Sequence, residues 1–514
     1  MIGSPLAPER LHPWRSLVVP EANAARASIA VSAGYLVAAL LGAIVALVIA
    51  LIVGEGPRTD AFFTAYSIFL FFSLFGASLR VAVVPLLGSV ADEPAWRRRA
   101  ADVLGRLAAV AVVGTLLVAA LAPVLATLLT PGLEPAATRT AAASLALLAV
   151  AAYCQIAAAV LAAALASARR FAVSAGLYVI ASMVTLVSAT GLMLGLGILG
   201  APLGVLTGSL VLLATHRGYL SRFGFRSRPA LRSLAQPETW RLTALSSGAA
   251  AIPLVQQLQL TIALVAVSGA VGAVTAYTYA YFVAAVMVGV TLNSIAFVML
   301  PGVVTALAER GPSAARQTLD FAVPTALFLF VPVAAAYACF GRPVVDAVLG
   351  GSLSAENIGL LWDASRIFLA GGIVQALLAP AGAVLLAMRR LRALVVPALI
   401  LLPIHAVAVL VVKAPVAVAV AHTALTAVLV VPVLMVGFGR REALRAAGSL
   451  VRAVPAVVLA AVVVVPAVLL PDPAGPWTAL GLGALGVGAY LVVGVLAWPS
   501  VGGRAVRMLV TRTG

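Results

Sequence analysis

The feature that most constrains this chain is its succession of long apolar stretches, about fourteen of them, each able to cross a bilayer as a helix of ~20 residues. Charged residues make up only 10% of the sequence against 63% hydrophobic, and mean hydropathy is +1.15. A soluble domain carries about 25% charged residues, so the composition specifies an integral membrane protein. Strands of a membrane β-barrel would alternate apolar and polar residues over ~10 positions; these runs are continuous and far longer. Helices are the remaining structure that satisfies every backbone group inside lipid. The expected spans are 28–53, 61–90, 103–129, 140–166, 171–196, 198–214, 242–268, 271–306, 319–349, 358–387, 393–412, 415–438, 450–470 and 477–498. Spans five and six are separated only by Gly195, Gly197 and Gly200 around short apolar residues.

The arginines orient these spans. Arg97, Arg98, Arg99 and Arg106 follow the second; Arg169 and Arg170 the fourth; Arg217 to Arg241 the sixth. The series continues with Arg310 and Arg316, then Arg389, Arg390 and Arg392, then Arg440, Arg441, Arg445 and Arg452, and closes with Arg504, Arg507 and Arg512. Intervening loops hold little beyond Arg58, Arg139, Arg342 and Lys413. Alternate loops are therefore basic, which places both termini in the cytoplasm. The net charge of +17 reflects this distribution and not a nucleic-acid patch. Residues 1–27 are polar with three arginines and read as a cytoplasmic segment, not a cleavable signal.

The long basic break at 217–241 divides the chain into an N-terminal lobe (28–216) and a C-terminal lobe (242–438), six helices each. Two more helices follow in 450–498, with a tail at 499–514. A weak repeat relates the lobes. Thr64-Ala65-Tyr66 leads an apolar helix to Val84-Pro85, and Thr275-Ala276-Tyr277 leads another to Leu300-Pro301; each is the second span of its lobe. Two similar bundles about a pseudo-two-fold suit alternating access.

No phosphate-binding loop, metal-ligand spacing or cofactor motif is present. Cys154 and Cys339 lie far apart in apolar helices and read as small core residues. Glu55 and Asp60 in the first outer loop admit a glycosyltransferase using a polyprenyl donor, but every outer loop is too short to hold an acceptor, so no enzyme is expected. The informative residues are polar ones at membrane depth, where a charge costs ~2.5–3.5 kcal/mol unless it has a partner or a hydrated path. Arg80, near the inner end of the second span, either snorkels to the interface or meets an anionic head group. Gln256, Gln257 and Gln259 in the seventh span, Asn293 in the eighth, and Tyr66, Tyr277 and Tyr281 either bind helices together or line a path for a polar cargo. Asp60 reads as an N-cap of the second span. Asp363 and Arg366, three apart in the tenth, are placed to pair with each other. His405 and His422 flank the Lys413 loop; either each is satisfied within the helices or they serve metal or proton chemistry.

The chain resembles the MurJ (MviN) lipid II flippase family of the MATE-like and polysaccharide-exporter superfamily. The resemblance is carried by G-x-G-x-x-T-D-A-F-F at residues 54–63, by Val84-Pro85 closing the next helix, by Leu300-Pro301, and by Arg366-Ile367-Phe368-Leu369-Ala370-Gly371. It implies two six-helix lobes around a central cavity, with the last two helices forming a groove for a lipid tail. It also implies an undecaprenyl-diphosphate-linked peptidoglycan precursor as cargo, moved from inner to outer leaflet of the plasma membrane, with membrane lipids and cell-wall synthesis proteins as partners and no cofactor. Asp60 stands at the family's aspartate in T-D-A-F-F. The chain departs from the family pattern in having no arginine in span 28–53 and aromatic residues where a basic cluster follows in the second span, which leaves Arg80 as the main cation of the first half. An exporter of another polyprenyl-linked glycan or amphiphile, and a non-transporting envelope scaffold, are the alternatives.

Overall fold

The computed structural model describes residues 24–88, 93–168, 170–222, 229–293, 317–451 and 475–497, with a few single positions between them. The N-terminal lobe contains α1 (Ala24–Val53), α2 (Pro57–Gly88), α3 (Glu93–Leu129), α4 (Pro135–Ser167), α5 (Phe171–Leu196) and α6 (Gly200–Ser221). In the C-terminal lobe, α7 runs through Pro237–Ala249 and, past a one-residue break at Ala250, through Ala251–Val267. It is followed by α8 (Ala273–Val288), α9 (Leu319–Leu349), α10 (Ala355–Ala387), α11 (Leu391–Val412) and α12 (Pro415–Phe438). A short amphipathic helix α13 (Arg440–Val451) and α14 (Pro476–Ala497) complete the described part.

Nine apolar helical segments among the described residues are long enough to cross a membrane, and three shorter ones coincide with spans one, seven and eight. One of the nine, Ala172–Ser221, is the α5–α6 hairpin, broken by a tight turn at Gly197–Leu199. Gly197 sits there at φ 58°, a left-handed conformation that favours glycine. The expected span 450–470 falls almost wholly outside the described residues.

Local chemistry sets the helix starts. Proline stands in the first turn of α2, α4 and α12, where its missing N–H costs nothing. Ser354 accepts from the Asn357 N–H (3.4 Å) at the start of α10. With no water to drive apolar faces together inside lipid, close backbone approach holds neighbouring helices. On α6, Gly200, Gly204 and Gly208 form a stripe against α5, where a Cβ would strike the backbone at Met193 and Ala189 and the Thr185 hydroxyl. Within the N-terminal lobe α4 packs against α2, α3 and α6, and α1 against α5. In the C-terminal lobe α10 packs against α8, α9 and α12, and α11 against α7 and α12. At the far end of α8, Gly289–Asn293 loosens into a π-type turn.

The two lobes meet chiefly through α2, which lies against both segments of α7 and against α8, with α1 also touching α8. The repeated helices α2 and α8 thus face each other across the lobe boundary.

Candidate functional site

The site is the contact between α2 and α8 at the end that the arginine pattern assigns to the outside. α8 begins after Gly272 (φ 80°), and no side chain of its own segment caps it. A helix start leaves backbone N–H groups without partners and carries partial positive charge. Asp60 supplies both missing elements from the opposite lobe. One carboxylate oxygen accepts from the Gly272 N–H (2.7 Å); the other accepts from the Thr275 N–H (2.9 Å) and the Thr275 hydroxyl (2.6 Å). Asp60 is fully buried. This corrects its reading as an N-cap of the second span: α2 starts earlier, at Pro57, and the Asp60 carboxylate caps α8.

Further bonds extend this junction. The Asn357 amide of α10 donates to the Glu55 carboxylate (2.7 Å) and to the Val271 carbonyl (3.1 Å), and the Glu55 N–H donates to the Ser352 carbonyl (3.2 Å). Ser268 donates to the Pro131 carbonyl (3.3 Å). Deeper in, the Tyr279 hydroxyl donates to the Ala46 carbonyl of α1 (3.0 Å), the Gln257 amide to the Ser67 carbonyl (3.2 Å), and the Thr261 hydroxyl to the Ser67 hydroxyl (3.0 Å). From Asp60 to Ser67 this bonded zone is ~10 Å thick along α2. Aromatic rings fill the space between the bonds. Tyr66 stacks between Phe62 and Phe69, with centroids 5.5 and 5.3 Å away, and Phe63 meets Tyr279 edge-on at 5.2 Å. The arrangement is a close-packed seal between the lobes, with the buried Asp60 carboxylate on a helix start.

The expected residues divide among several places. Asp60, Tyr66 and Gln257 lie in the seal. Tyr277 is fully buried against Phe368 of α10, and Tyr281 packs on Phe368 and His422. Gln259 is fully buried with both amide atoms unpartnered within the protein, as is the Gln256 Nε2. Arg80 and Asn293 lie on described backbone, in α2 and in the π-type turn, but their side chains fall outside the described residues. The expected Asp363–Arg366 pair is not formed. Both side chains are exposed, and the Arg366 guanidinium instead lies over the Trp362 ring, 5.7 Å from its centroid. α-Helical side chains lean back toward the i−3 and i−4 positions, which here offer Arg366 both Asp363 and Trp362, and it takes the ring.

Sequence reasoning missed Thr275, Gly272, Asn357 and Ser67 as members of the site. The Thr-Ala-Tyr repeat held the available signal, because it aligns the helix start that carries Asp60 with the one that carries Thr275. No group of three or more potential metal ligands occurs among the described residues, and Cys154 and Cys339 are free thiols.

Comparison with solved structures gives the fold an independent footing. "Lipid II flippase MurJ, inward closed conformation" superposes with a TM-score of 0.72 at 16% identity, covering 92% of this chain and 99% of that one. An inward-facing multidrug resistance MATE family transporter of the MOP superfamily gives 0.62 at 16% identity, covering 79% and 95%. A MOP superfamily transporter from Pyrococcus furiosus gives 0.56 at 15%, covering 84% and 99%. At these identities the likeness concerns the fold alone. No match was found among curated proteins. The family model "Lipid II flippase MurJ", however, matches residues 49–472, most of the chain. The matched region takes in most of the seal and of both lobes and the linker between them, and the chain belongs to the MurJ lipid II flippase family.

Proposed function

We propose that the chain moves an undecaprenyl-diphosphate-linked peptidoglycan precursor from the inner to the outer leaflet of the plasma membrane by alternating access, with the α2–α8 seal as its outer gate. The observation that carries this reading is the Asp60 cap. Its bonds exist only while the lobes are docked, so separating the lobes at this end exchanges them for water, as a gate requires. The head group would enter from the cytoplasmic side, where Arg80 offers a cation for the diphosphate, and the polyprenyl tail would stay in lipid. Gln256, Gln259, Asn293, Tyr277 and Tyr281 supply polar groups along α7 and α8 that a hydrated sugar could use once the lobes part. Moving one charge through 100 mV is worth ~2.3 kcal/mol, enough to bias such a cycle more than tenfold. No catalytic role is assigned to any residue.

Complementation tests the reading. In a strain depleted of its own lipid II flippase, the chain restores growth, and Arg80→Ala abolishes rescue at equal membrane abundance. Failure of the unaltered chain, well expressed, refutes the cargo assignment. The absence of any cation from span 28–53 favours a second reading, a polyprenyl-linked glycan with a less anionic head group. Reconstituted vesicles that flip such a lipid but not lipid II would establish it.

A further inference from the structure

α11 and α12 each carry one histidine, and both stand at the same level, ~10 Å from the outer end of their helix. His405 and His422 are 0% and 6% exposed. Their ring centroids are 5.2 Å apart and their planes nearly perpendicular, at 81°. Neither ring nitrogen of His405 has a hydrogen-bond partner within the protein, nor does Nδ1 of His422. His216 in the N-terminal lobe shows what a satisfied buried histidine looks like here: Nδ1 lies 2.9 Å from the Leu212 carbonyl and Nε2 3.2 Å from the Ser174 hydroxyl. Leaving buried polar groups unpaired costs about 1–3 kcal/mol each, so this pair is an expensive feature if it only fills space.

Its surroundings narrow the ligand. The His422 ring packs on Phe368 of α10 (5.5 Å) and Tyr281 of α8 (6.3 Å), and Phe368 packs on Tyr277 (5.2 Å). The α7 segment 251–267, which packs against α11 and α12, has glutamines but no ionisable residue. Glu238 and Arg241 of the preceding segment, which also meets α11, stand toward the cytoplasmic end. On α10, Glu356, Asp363 and Arg366 are exposed. The charged residue of α11 is Arg392, near its cytoplasmic start, with Lys413 capping its outer end; α12 has none. Helix α13, with Arg440, Arg441, Glu442 and Arg445, follows the cytoplasmic end of α12. Among the described residues, the titratable neighbours facing the pair are therefore Tyr277 and Tyr281. Among the described residues no carboxylate is at hand to help hold a metal cation. A single proton shared as N–H⁺···N needs ~5 Å between centroids with one nitrogen of each ring turned toward the other. The separation is met, and the edge-on rings, which exchange no hydrogen bond as they stand, must rotate to share a proton.

We propose that His405 and His422 together bind one proton, and that charging them is coupled through Phe368, Tyr277 and Tyr281 to α8 and so to the Asp60 seal. The proton passes from water to an imidazole nitrogen, and no other bond changes. A charge inside dry packing is costly, so protonation favours the state in which α8 has shifted and water reaches the rings. Coupling is reciprocal: acid favours opening, and opening raises the pair's affinity for a proton.

The test uses the full chain in phosphatidylethanolamine–phosphatidylglycerol vesicles. Hydrogen exchange of residues 272–276 is measured at about pH 5.5 and about pH 8, corrected with an unfolded peptide. The corrected rate is expected to be about tenfold higher in acid, and that ratio to fall to about one in the double variant His405→Gln/His422→Gln. The comparison separates the pair from Glu55 and Asp60, which both variants retain. A ratio of one in the native chain, or a ratio that survives the double substitution, overturns the proposal. Should the double variant not fold, ring ¹⁵N shifts of the native histidines decide. Two rings moving together toward the protonated form support the proposal, and rings neutral throughout overturn it. An acid effect that needs added Zn²⁺ and disappears with chelator makes the pair a metal site and also overturns it. Because the readout is motion of the seal, the result stands apart from the identity of the cargo.

Discussion

Asp60→Asn puts the outer seal to a quantitative test. The carboxylate holds three donors of α8 at 2.6–2.9 Å. Hydrogen bonds to a charged acceptor contribute about 1.5–3 kcal/mol each, neutral ones about 1. With its carbonyl oxygen turned to Thr275, asparagine keeps two bonds in weaker, neutral form and sets its NH₂ against the Gly272 N–H. The loss is about 3 kcal/mol, and all of it falls on the docked state, because these bonds span the lobe boundary. At 1.4 kcal/mol per tenfold, the sealed-to-open ratio drops about a hundredfold. The assay is labelling of Ser67→Cys, one layer below Asp60, by an impermeant maleimide added outside cells, with Cys154 and Cys339 replaced by serine. If opening and closing are fast relative to labelling, the rate follows the open fraction and rises about a hundredfold in Asp60→Asn. A rate within twofold of the parent, in a protein that remains folded, refutes the claim that this carboxylate closes the gate.

Two further substitutions probe geometry. At Gly272 the backbone is left-handed, and an added Cβ would collide with the Asn357 amide and come within 2.9 Å of the Glu55 carboxylate; Gly272→Ala therefore costs at least the ~1–2 kcal/mol of the left-handed conformation and raises Ser67→Cys labelling about tenfold or more. Gly204→Val drives a side chain into the α5 backbone at Ala189, and overpacking of this kind costs about 1–3 kcal/mol or more. A lowered thermal midpoint of the detergent-purified chain is expected, while Gly218→Val, with open space around it, leaves the midpoint near that of the parent.

The helices were legible in the sequence because lipid leaves a chain little choice. An apolar run of the right length has one way to satisfy its backbone, and even the sparse Gly195–Gly197 signal marks a real turn. The repeat was legible too, and it aligned the two helices whose starts later proved to be in contact. What could not be read was which groups meet. Asp60 has a local reading, an N-cap for its own helix, and that reading is cheaper by inspection than a bond to residues 212 and 215 positions away. Only the docking of the two lobes decides between them. Asp363 and Arg366 fail for a related reason: spacing puts them on one face, but that face also offers the guanidinium the Trp362 ring, which it takes. The glutamines lie between these cases. Their depth follows from position, whereas Gln257 finds a backbone partner in the other lobe and Gln259, two residues on and facing the opposite way, finds none.

The interruptions in α7 and α8 acquire a mechanical meaning when measured from the outer surface. Ala250 lies about 26 Å along α7 from its outer end, and Gly289 about 24 Å along α8 from its own. The α-helical hydrogen bonding of both is thus interrupted at one common depth. Beyond that depth, residues 251–288 form a hairpin whose tip carries the Asp60 contact on one side and whose flank touches the histidine pair on the other. A panel hinged along a single line can swing at its free edge while its anchored edge stays put. On the gate reading proposed above, these two interruptions would let the hairpin swing without the C-terminal lobe moving as a block.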